Sequence, residues 1–251
     1  MIQIDEGLNE YKEQYVISPK RLGVISDIHM KFHHKGAVIT ALEYLNDKSI
    51  DTLLLNGDVI DNYKISRHSK VKPKVREYAD EIYAVREFIS NLRKCFPTKK
   101  IIYKMGNHED RFDLKISEKL PELEGLVSLA ELLKLRENNI EVVESKQSIK
   151  AGHLNIIHGH EVYGGGEHVA YNFLNKLKEN VLFSNFHRPQ EVYGKLGFSR
   201  KSIGAWATGC LCQLQPDYMP FNKWEHGFAF VEFDGNDFEV ENKKIINNKV
   251  R

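Results

Sequence analysis

Cysteine, net charge and long apolar runs are all scarce in this chain, and each shortage excludes a class of protein. The three cysteines, Cys95, Cys210 and Cys212, form an odd set without a disulfide framework, which is typical of a reducing compartment. A formal net charge of +1 gives no global attraction for nucleic acid, so such a partner would need a local basic patch. No apolar run approaches the ~20 residues that span a bilayer, and we therefore expect no membrane helix.

The opening residues also lack the marks of an export signal. The segment 1–16 is acidic and polar, with neither a basic start nor an apolar stretch. We interpret residues 1–20 as an N-terminal extension and residues 21–245 as one domain, because 41% hydrophobic residues suffice for one sizeable core. A cytoplasmic location is the corresponding expectation.

Apolar patterning predicts alternating strands and helices in the first half of the chain and mostly strands in the second. Runs rich in β-branched residues predict strands at 21–26, 51–57 and 99–106. Apolar residues at three- and four-residue steps predict helices at 36–47, 72–96, 128–137 and 168–180. An Asp-Gly pair at 234–235, between two alternating segments, predicts a hairpin. We therefore predict an α/β domain in which a mixed sheet packs against a second sheet.

Five of the predicted strands run directly into polar side chains that commonly bind metals. In open α/β sheets, ligands bind at the carboxyl ends of the strands, and the loops between strands would bring these side chains together. In chain order they are Asp27 and His29, Asp58 and Asp61, Asn107 and His108, His158, and His187.

This set of donors has a specific chemistry. Carboxylate, amide and imidazole groups without a thiolate suit divalent ions such as Mn, Fe or Zn. Two such ions about 3.5–4 Å apart can clamp both oxygens of a phosphoryl displacement, and each ion lowers the pKa of bound water. A histidine that is not a ligand can protonate the departing alkoxide. The pattern therefore favours metal-assisted hydrolysis of a phosphate ester.

The order and spacing of the motifs add a family resemblance. The blocks D27-x-H29, G57-D58-x-x-D61, G106-N107-H108-E109, H158-G159 and a terminal H187 resemble those of the calcineurin-like metallophosphoesterases. The strand-rich tail resembles the second sheet of that family, and the run 209–233 resembles the tail of its phage and prophage members. The resemblance implies an α/β fold, a four-layer αββα sandwich with two mixed β-sheets.

The resemblance also implies a role for each matching residue. His108 would act as the general acid or as a transition-state donor, and Asp61 would hydrogen-bond to it and raise its basicity. Gly57 and Gly106 would let the backbone turn sharply beside the ions. The implied metal ligands are Asp27, His29 and His187 for the first ion, Asp58 as the bridge, and Asn107 and His158 for the second ion.

The last block departs from the family pattern. Where the family usually carries Gly-His-x-His, this chain reads Ser184-Asn185-Phe186-His187. Asn185 thus stands where a second-metal histidine is usual, and an amide oxygen is a weaker donor than imidazole toward Zn or Fe. We therefore treat Asn185 as a candidate ligand and expect a weakened second site that prefers Mn or Mg. His160 is an alternative donor for the missing place.

Basic side chains near two of these strand ends are candidates for contact with the substrate phosphate. The segment 64–76 is the most basic stretch and holds Arg67 and His68, and Arg111 follows the third strand end. The alternative interpretation of 64–76 is a solvated loop that leads into a helix.

The expected function is hydrolysis of phosphate esters, with phosphodiesters as the first choice, by attack of a hydroxide that bridges two divalent ions. Mn is the expected metal, with Mg, Fe and Zn as alternatives. Two rivals stay open: a DNA or RNA nuclease of the same family, and a phosphate- or nucleic-acid-binding member whose catalysis is weakened at Asn185. If the chain is phage-encoded, the expected location is the host cytoplasm.

Overall fold

The computed structural model describes residues 10–67 and 77–251 of the chain. Within them, the α-helices are α1 (Lys35–Asp47), α2 (Tyr78–Cys95), α3 (Asn107–Lys119), α4 (Leu129–Leu132) and α5 (Val169–Leu177). The strands are β1 (Tyr15–Ile17), β2 (Arg21–Ile25), β3 (Thr52–Asn56), β4 (Lys100–Lys104), β5 (Glu141–Val143), β6 (Ile149–Ala151), β7 (Leu154–Ile156), β8 (Val181–Phe183), β9 (Gln190–Lys195), β10 (Ser202–Ala207), β11 (His226–Asp234), β12 (Asp237–Ile246) and β13 (Lys249–Val250).

The alternation of strands and helices in the first half of the chain produces a parallel sheet. β2, β3 and β4 pair in parallel, with Val24 opposite Leu54 and Leu54 opposite Ile102. Nearly every residue of these three strands is buried, which is typical of a parallel sheet that is covered on both faces. Their carboxyl ends therefore lie at one edge of the sheet, where ligands bind in open α/β folds.

Two mixed sheets are built from these strands and the ones that follow. The seven-stranded sheet has the order β13-β12-β11-β2-β3-β4-β5, and β11 joins it antiparallel to β2. β11 and β12 form the predicted hairpin, and Gly235 at its turn has a φ of 61°. The six-stranded sheet has the order β1-β6-β7-β8-β10-β9 and contains parallel and antiparallel pairs.

The two sheets face each other across an apolar core and carry helices on their outer faces. Leu22 and Val24 of the first sheet share one buried cluster with Ile156 and Trp206 of the second. The opposite face of the seven-stranded sheet packs against α1 and α2, while α5 covers the six-stranded sheet. The layers are therefore helix, sheet, sheet and helix, which confirms the four-layer αββα sandwich.

Two stretches of the helices differ from what the apolar pattern predicts. The predicted helix at 128–137 ends after the four residues of α4, because Lys134 takes a left-handed φ of 58°. The segment after β4, for which the apolar pattern predicts no helix, begins α3 at Asn107. α3 buries only Glu109 and Phe112, so no apolar periodicity marks it in the sequence. α2 begins at Tyr78, and the earlier part of its predicted span lies outside the described residues.

The domain limits at residues 20 and 245 stay predictions, and strands extend beyond both. β1 pairs in parallel with β6, so residues 15–17 of the predicted extension belong to the six-stranded sheet. β12 reaches Ile246, and β13 pairs with its end. In the part of the chain that the structure describes, no helix is both long enough and apolar enough to cross a bilayer.

Candidate functional site

The first cluster of candidate ligands consists of Asp27, His29 and His187. Asp27 and His29 follow β2, and His187 follows β8. Nε2 of His187 lies 3.1 Å from Asp27 Oδ1 and 3.4 Å from His29 Nε2. All three residues are buried. The fold thus brings together a carboxylate and two imidazoles from strand ends that are far apart in the sequence.

The second cluster consists of Asp58, Asn107 and His158, which follow β3, β4 and β7. Asp58 Oδ1 is 3.3 Å from His158 Nε2, and Asp58 Oδ2 is 3.9 Å from His29 Nε2, so Asp58 lies between the two clusters. The donor atoms of Asp27, Asp58 and His158 fall within 4.8 Å of one another. Asn107 Oδ1 and His158 Nε2 are buried without good hydrogen-bond geometry to any partner. Buried polar atoms of this kind call for a ligand, since leaving them unpaired is costly.

The charges at the site attract cations. Burial lowers the pKa of His158, but Asp58 outweighs that effect and raises the pKa to about 10. Against the effect of burial, His108 and His158 hold the pKa of Asp58 well below its usual value. A carboxylate field that favours a positive charge on a buried imidazole also favours metal cations. With the unpartnered atoms of Asn107 and His158, the residues present fit two divalent ions.

The backbone at the candidate ligands is sharply turned. Asp27, His29, Asp58, Asn185 and His187 have φ values between 50° and 69°, in the left-handed region. Each such non-glycine residue costs of order 1–3 kcal/mol, and residues of this kind cluster at functional sites. Asp, Asn and His tolerate the left-handed region better than other side chains, so the residue types suit both the backbone and a metal.

Two glycines make room for the clusters. Gly57 has a φ of 86°, as expected for a sharp turn, and a Cβ there would overlap the imidazole of His158. Gly106 has a φ of −104°, which any residue can adopt, so the predicted need for a special turn is wrong at this position. A Cβ at Gly106 would instead overlap the carboxylate of Asp58. Its role is therefore to provide space.

Glu109 is a buried carboxylate that ties two of the loops together, and motif reasoning assigned it no role. The backbone N–H groups of Gly106, Asp58 and Val59 donate to it at 2.8, 2.9 and 2.9 Å, and the Tyr103 hydroxyl donates at 2.8 Å. Glu109 follows the N-cap Gly106 of α3 by three residues, and this capping-box spacing is the signal that could have found it. The carboxylate fixes the Asp58 loop against the start of α3.

A buried ion pair holds the loop that carries His158. Nζ of Lys104 lies 2.9 Å from Glu161 Oε1 and donates to the carbonyl of Ser145 at 2.6 Å. Glu161 in turn accepts from the backbone N–H groups of His158 and Gly159, at 3.0 and 2.6 Å. Burial lowers the pKa of Lys104 despite the attraction of Glu161. No sequence signal marks this pair, because a lysine at a strand end is usually exposed.

His108 lies between Asp61 and Arg111. Its Nδ1 is 2.9 Å from the Asp61 carbonyl oxygen and 3.2 Å from Asp61 Oδ1. The same Oδ1 is 2.9 Å from His29 Nδ1, so Asp61 is shared between two imidazoles rather than dedicated to His108. Arg111 donates to His108 Nε2 and to the Asp61 carbonyl, both at 2.8 Å. Burial lowers the pKa of His108, but Asp58 and Asp61 raise it above its usual value overall.

Asn185 is anchored through its backbone. Its N–H donates to Asp27 Oδ2 at 3.1 Å. A Cβ built on Gly159 would lie 3.3 Å from the Cβ of Asn185, so Asn185 borders the loop that carries His158. This location beside the second cluster is compatible with the predicted ligand role.

Cys212 borders the first cluster, and no motif in the sequence predicts this position for it. Cys210 and Cys212 are buried, and Cys212 Sγ lies 3.9 Å from His187 Nδ1. One donor atom each from Cys212, His29 and His187 fall within 4.8 Å of one another. Metal-binding histidines usually donate their second ring nitrogen to a carboxylate, carbonyl or water, so a sulfur beside His187 is an unusual neighbour. An isolated bridge between His33 and Cys212 pairs the segments that carry these two residues.

The remaining predicted residues have different surroundings. Arg67 and Arg111 line one cavity of about 180 Å³, and the exposed Arg67 side chain pairs with Glu118 of α3. His68 lies outside the described residues. The alternative ligand His160 is 2.8 Å from the hydroxyl of Ser145 through Nε2, a contact outside the two clusters.

Comparison with known proteins finds a matching family model, two phage relatives and a solved structure of similar fold. The family model described as Calcineurin-like phosphoesterase matches residues 20–219. The Gene 54 proteins of Mycobacterium phages L5 and D29 are each 25% identical to this chain, over 90% of it and 94% of each relative. Vacuolar Protein Sorting 29 from Cryptosporidium parvum superposes with a TM-score of 0.50 at 14% identity, over 94% of this chain and 96% of that one. This last likeness supports the fold alone.

The family match spans most of the chain and includes every strand end that carries a candidate ligand, from Asp27 to His187. The phage relatives agree with the resemblance of the tail to phage members. The chain therefore belongs to the calcineurin-like phosphoesterase family of metal-dependent hydrolases, as a phage-type member.

Proposed function

We propose that this chain hydrolyses phosphodiesters with two divalent ions, of which Mn is the first choice. The observation that carries the proposal is the meeting of two donor clusters at Asp58. The buried, unpartnered atoms of Asn107 and His158 support a cation on the second side. His108 Nε2 lies 3.7 Å from Asp58 Oδ2, close enough to the clusters to supply the proton that the leaving alcohol needs, and the diester is our first choice of substrate.

In this proposal the first cluster holds one ion, Asn107 and His158 hold the other with Asn185 beside them, and Asp58 is shared. When bound, the ions would supply an activated water and neutralise charge on the phosphoryl oxygens. The chain keeps the donors in place before substrate arrives, because Glu109 and the Lys104–Glu161 pair fix the loops. Little reorganisation is then needed during the reaction.

His108 is the proposed general acid, and Arg111 controls which nitrogen is available. The Arg111 guanidinium donates to Nε2, which requires an unprotonated nitrogen there, whereas general-acid catalysis requires a proton on that nitrogen. Both conditions cannot hold together. When Nε2 is protonated, Arg111 turns from it toward a phosphoryl oxygen, and His108 then gives that proton to the departing alkoxide. Asp61 holds Nδ1 and fixes the ring.

A second candidate is a phosphate-binding protein with weakened catalysis, which only Asn185 favours. Hydrolysis of bis-p-nitrophenyl phosphate with added Mn separates the two. We expect Asp58→Asn to lower kcat/KM by about 100-fold or more, and His108→Asn to lower it by about 100-fold for a dinucleotide, whose departing alkoxide needs a proton that p-nitrophenolate does not need. Matched controls are Asp237→Asn and His153→Asn, which change an exposed pair 3.1 Å apart and leave the rate unchanged. Turnover that needs neither Mn, Asp58 nor His108 would contradict the proposal.

A further inference from the structure

A small cavity with aromatic walls opens beside the first cluster. It has a volume of about 230 Å³ and is bordered by His29, Asp61 and His187. Pockets for drug-sized ligands measure about 300–1,000 Å³, so this one suits a single ring system. Four aromatic residues also line it: Phe32, Tyr63, Tyr218 and Trp224.

The four aromatic residues come in two pairs from different parts of the chain. The rings of Phe32 and Tyr63 have centroids 5.5 Å apart, and those of Tyr218 and Trp224 are 6.3 Å apart. Trp224 also packs edge-on against the imidazole of His187, with centroids 4.2 Å apart. Tyr218 is 75% exposed, so its ring gains contact when a flat group enters the cavity.

The segment that carries Tyr218 and Trp224 is held in place by its own hydrogen bonds. At its start, the N–H of Gln213 donates to the Phe32 carbonyl at 2.8 Å. At its end, the N–H of Trp224 donates to Asn222 Oδ1 at 2.7 Å, and that of Glu225 donates to the His187 carbonyl at 2.9 Å. The wall is therefore preformed, and binding a ring against it costs little ordering.

Polar groups complete the lining. Gln213 and Gln215 border the same cavity, and their amide groups can pair with the donors and acceptors on the edge of a base, although Gln213 Nε2 also donates to the His33 carbonyl at 3.1 Å. An aliphatic substituent would gain nothing from those amide groups. A flat heterocycle with a polar edge uses both kinds of lining.

We propose that this cavity binds the nucleobase of the substrate, so that the substrates are nucleoside phosphate esters. The inference rests on the proposed function, since the cavity adjoins the cluster where the phosphorus would lie. A base that stacks between the two aromatic pairs places the attached phosphate toward His29 and His187. Neither the family match nor the metal ligands require that the phosphate ester carry a nucleobase.

Calorimetric binding in the presence of Mn tests the cavity without turnover of a diester. Adenosine 5′-monophosphate and ribose 5-phosphate differ only in the base. We expect the nucleotide to bind about 5- to 150-fold more tightly, the range that stacking of one base produces. Tyr218→Ala removes most of this ratio. Phe221→Ala keeps it, because Phe221 belongs to the same segment, is 99% exposed and does not line the cavity.

Hydrolysis then separates a small nucleotide from a nucleic acid chain as the source of the base. The probes are the deoxyadenosine dinucleotide, its analogue with one base replaced by hydrogen, and a twelve-residue oligodeoxyadenylate. A lower hydrolysis rate for the analogue than for the dinucleotide supports binding of a base in the cavity. An equal rate per bond in dinucleotide and oligomer assigns the cavity to small nucleotides, and a tenfold preference for the oligomer assigns it to a terminal or internal base of a chain.

Two results would overturn the inference. One is equal affinity for adenosine 5′-monophosphate and ribose 5-phosphate, and the other is a ratio that Tyr218→Ala leaves unchanged. Failure of the proposed function is a distinct result, namely no Mn-dependent turnover of bis-p-nitrophenyl phosphate. The binding ratio is measured in either case, so the two failures are told apart.

Discussion

Asn185 is the residue at which the proposed metal site departs from the family pattern, and its backbone contacts are independent of its side chain. Its left-handed φ of 69° and its N–H bond to Asp27 come from the backbone, so they do not depend on the amide group. The side chain therefore determines only which donor atom is available to a cation beside His158. An amide oxygen is a harder and weaker donor than imidazole, which favours Mn or Mg over Zn or Fe.

Replacing this residue by histidine is the direct test. We expect Asn185→His to strengthen binding of the weaker Zn equivalent by about tenfold or more, since 1.4 kcal/mol from a better donor gives that factor. Histidine also accepts a left-handed backbone, so the fold should hold. The measurement is calorimetric titration of the metal-free protein with Zn and with Mn.

Asn236→His is the control for that titration, because it places a histidine in an exposed turn away from both clusters. Identical affinities for both equivalents in wild type and Asn185→His would show that position 185 does not contact the second ion.

At the scale of the elements, the strand ends could be predicted and their supports could not. Each candidate ligand follows an apolar strand, so Asp27, Asp58 and His158 were visible in the sequence. Glu109 and the Lys104–Glu161 pair act through backbone groups of other segments, and no local pattern reports such contacts. α3 is absent from the predicted helices because its few buried side chains leave no apolar stripe. Cys212 reaches His187 only through tertiary packing.

The Lys104–Glu161 pair should be costly to break from one side. Lys104→Met leaves the carboxylate of Glu161 without its buried partner, and we expect a loss of about 3–5 kcal/mol in the free energy of unfolding. Lys104→Met with Glu161→Gln removes both charges and should lose at least about 1 kcal/mol less than the sum of the single changes. Urea unfolding of wild type, the two single variants and the double variant measures the coupling free energy between Lys104 and Glu161.

The half-exposed pair of Lys244 and Glu225, 2.7 Å apart, provides the comparison. Lys244→Met should cost no more than about 1 kcal/mol, as surface ion pairs do. Additive single changes at Lys104 and Glu161 would mean that the pair does not hold the His158 loop.

For the whole molecule, Glu81 links stability to pH. It is fully buried on α2, accepts the N–H of Tyr63 at 3.2 Å, and has an unpartnered Oε2. Burial raises its pKa to about 7, with the backbone N–H of Tyr63 opposing the shift. The folded chain therefore keeps a proton that the unfolded chain loses near its ordinary pKa. The stability that this proton contributes is present below about pH 4.5 and is lost as the pH rises through about 7.

Glu81→Gln should remove this pH dependence. Relative to wild type, we expect the variant to gain about 3 kcal/mol in stability between pH 5 and pH 8, as an upper figure. Urea unfolding at the two pH values measures it, with the exposed Glu87→Gln on the same helix as the control. An equal pH dependence in wild type and Glu81→Gln would refute a raised pKa at this carboxylate.

Metal removal should lower the thermal stability of the whole domain. A ligand at 100 times its Kd stabilises the folded state by about 2.7 kcal/mol, which corresponds to roughly 5–10 °C in Tm for a domain of this size. We expect Mn to raise Tm by this amount over protein treated with EDTA. Asp58→Asn should lose most of the response and Asp237→Asn should retain it. If Mn leaves the Tm of wild type unchanged, the result contradicts metal binding by the two clusters.

The backbone anchor of Asn185 also bears on how such a site can evolve. The N–H bond to Asp27 does not involve the side chain, and histidine tolerates the left-handed φ of 69° as asparagine does, so the loop can deliver His187 with either residue at position 185. Under the proposed ligand role, a single change from asparagine to histidine at this position would alter the preferred metal without refolding the loop.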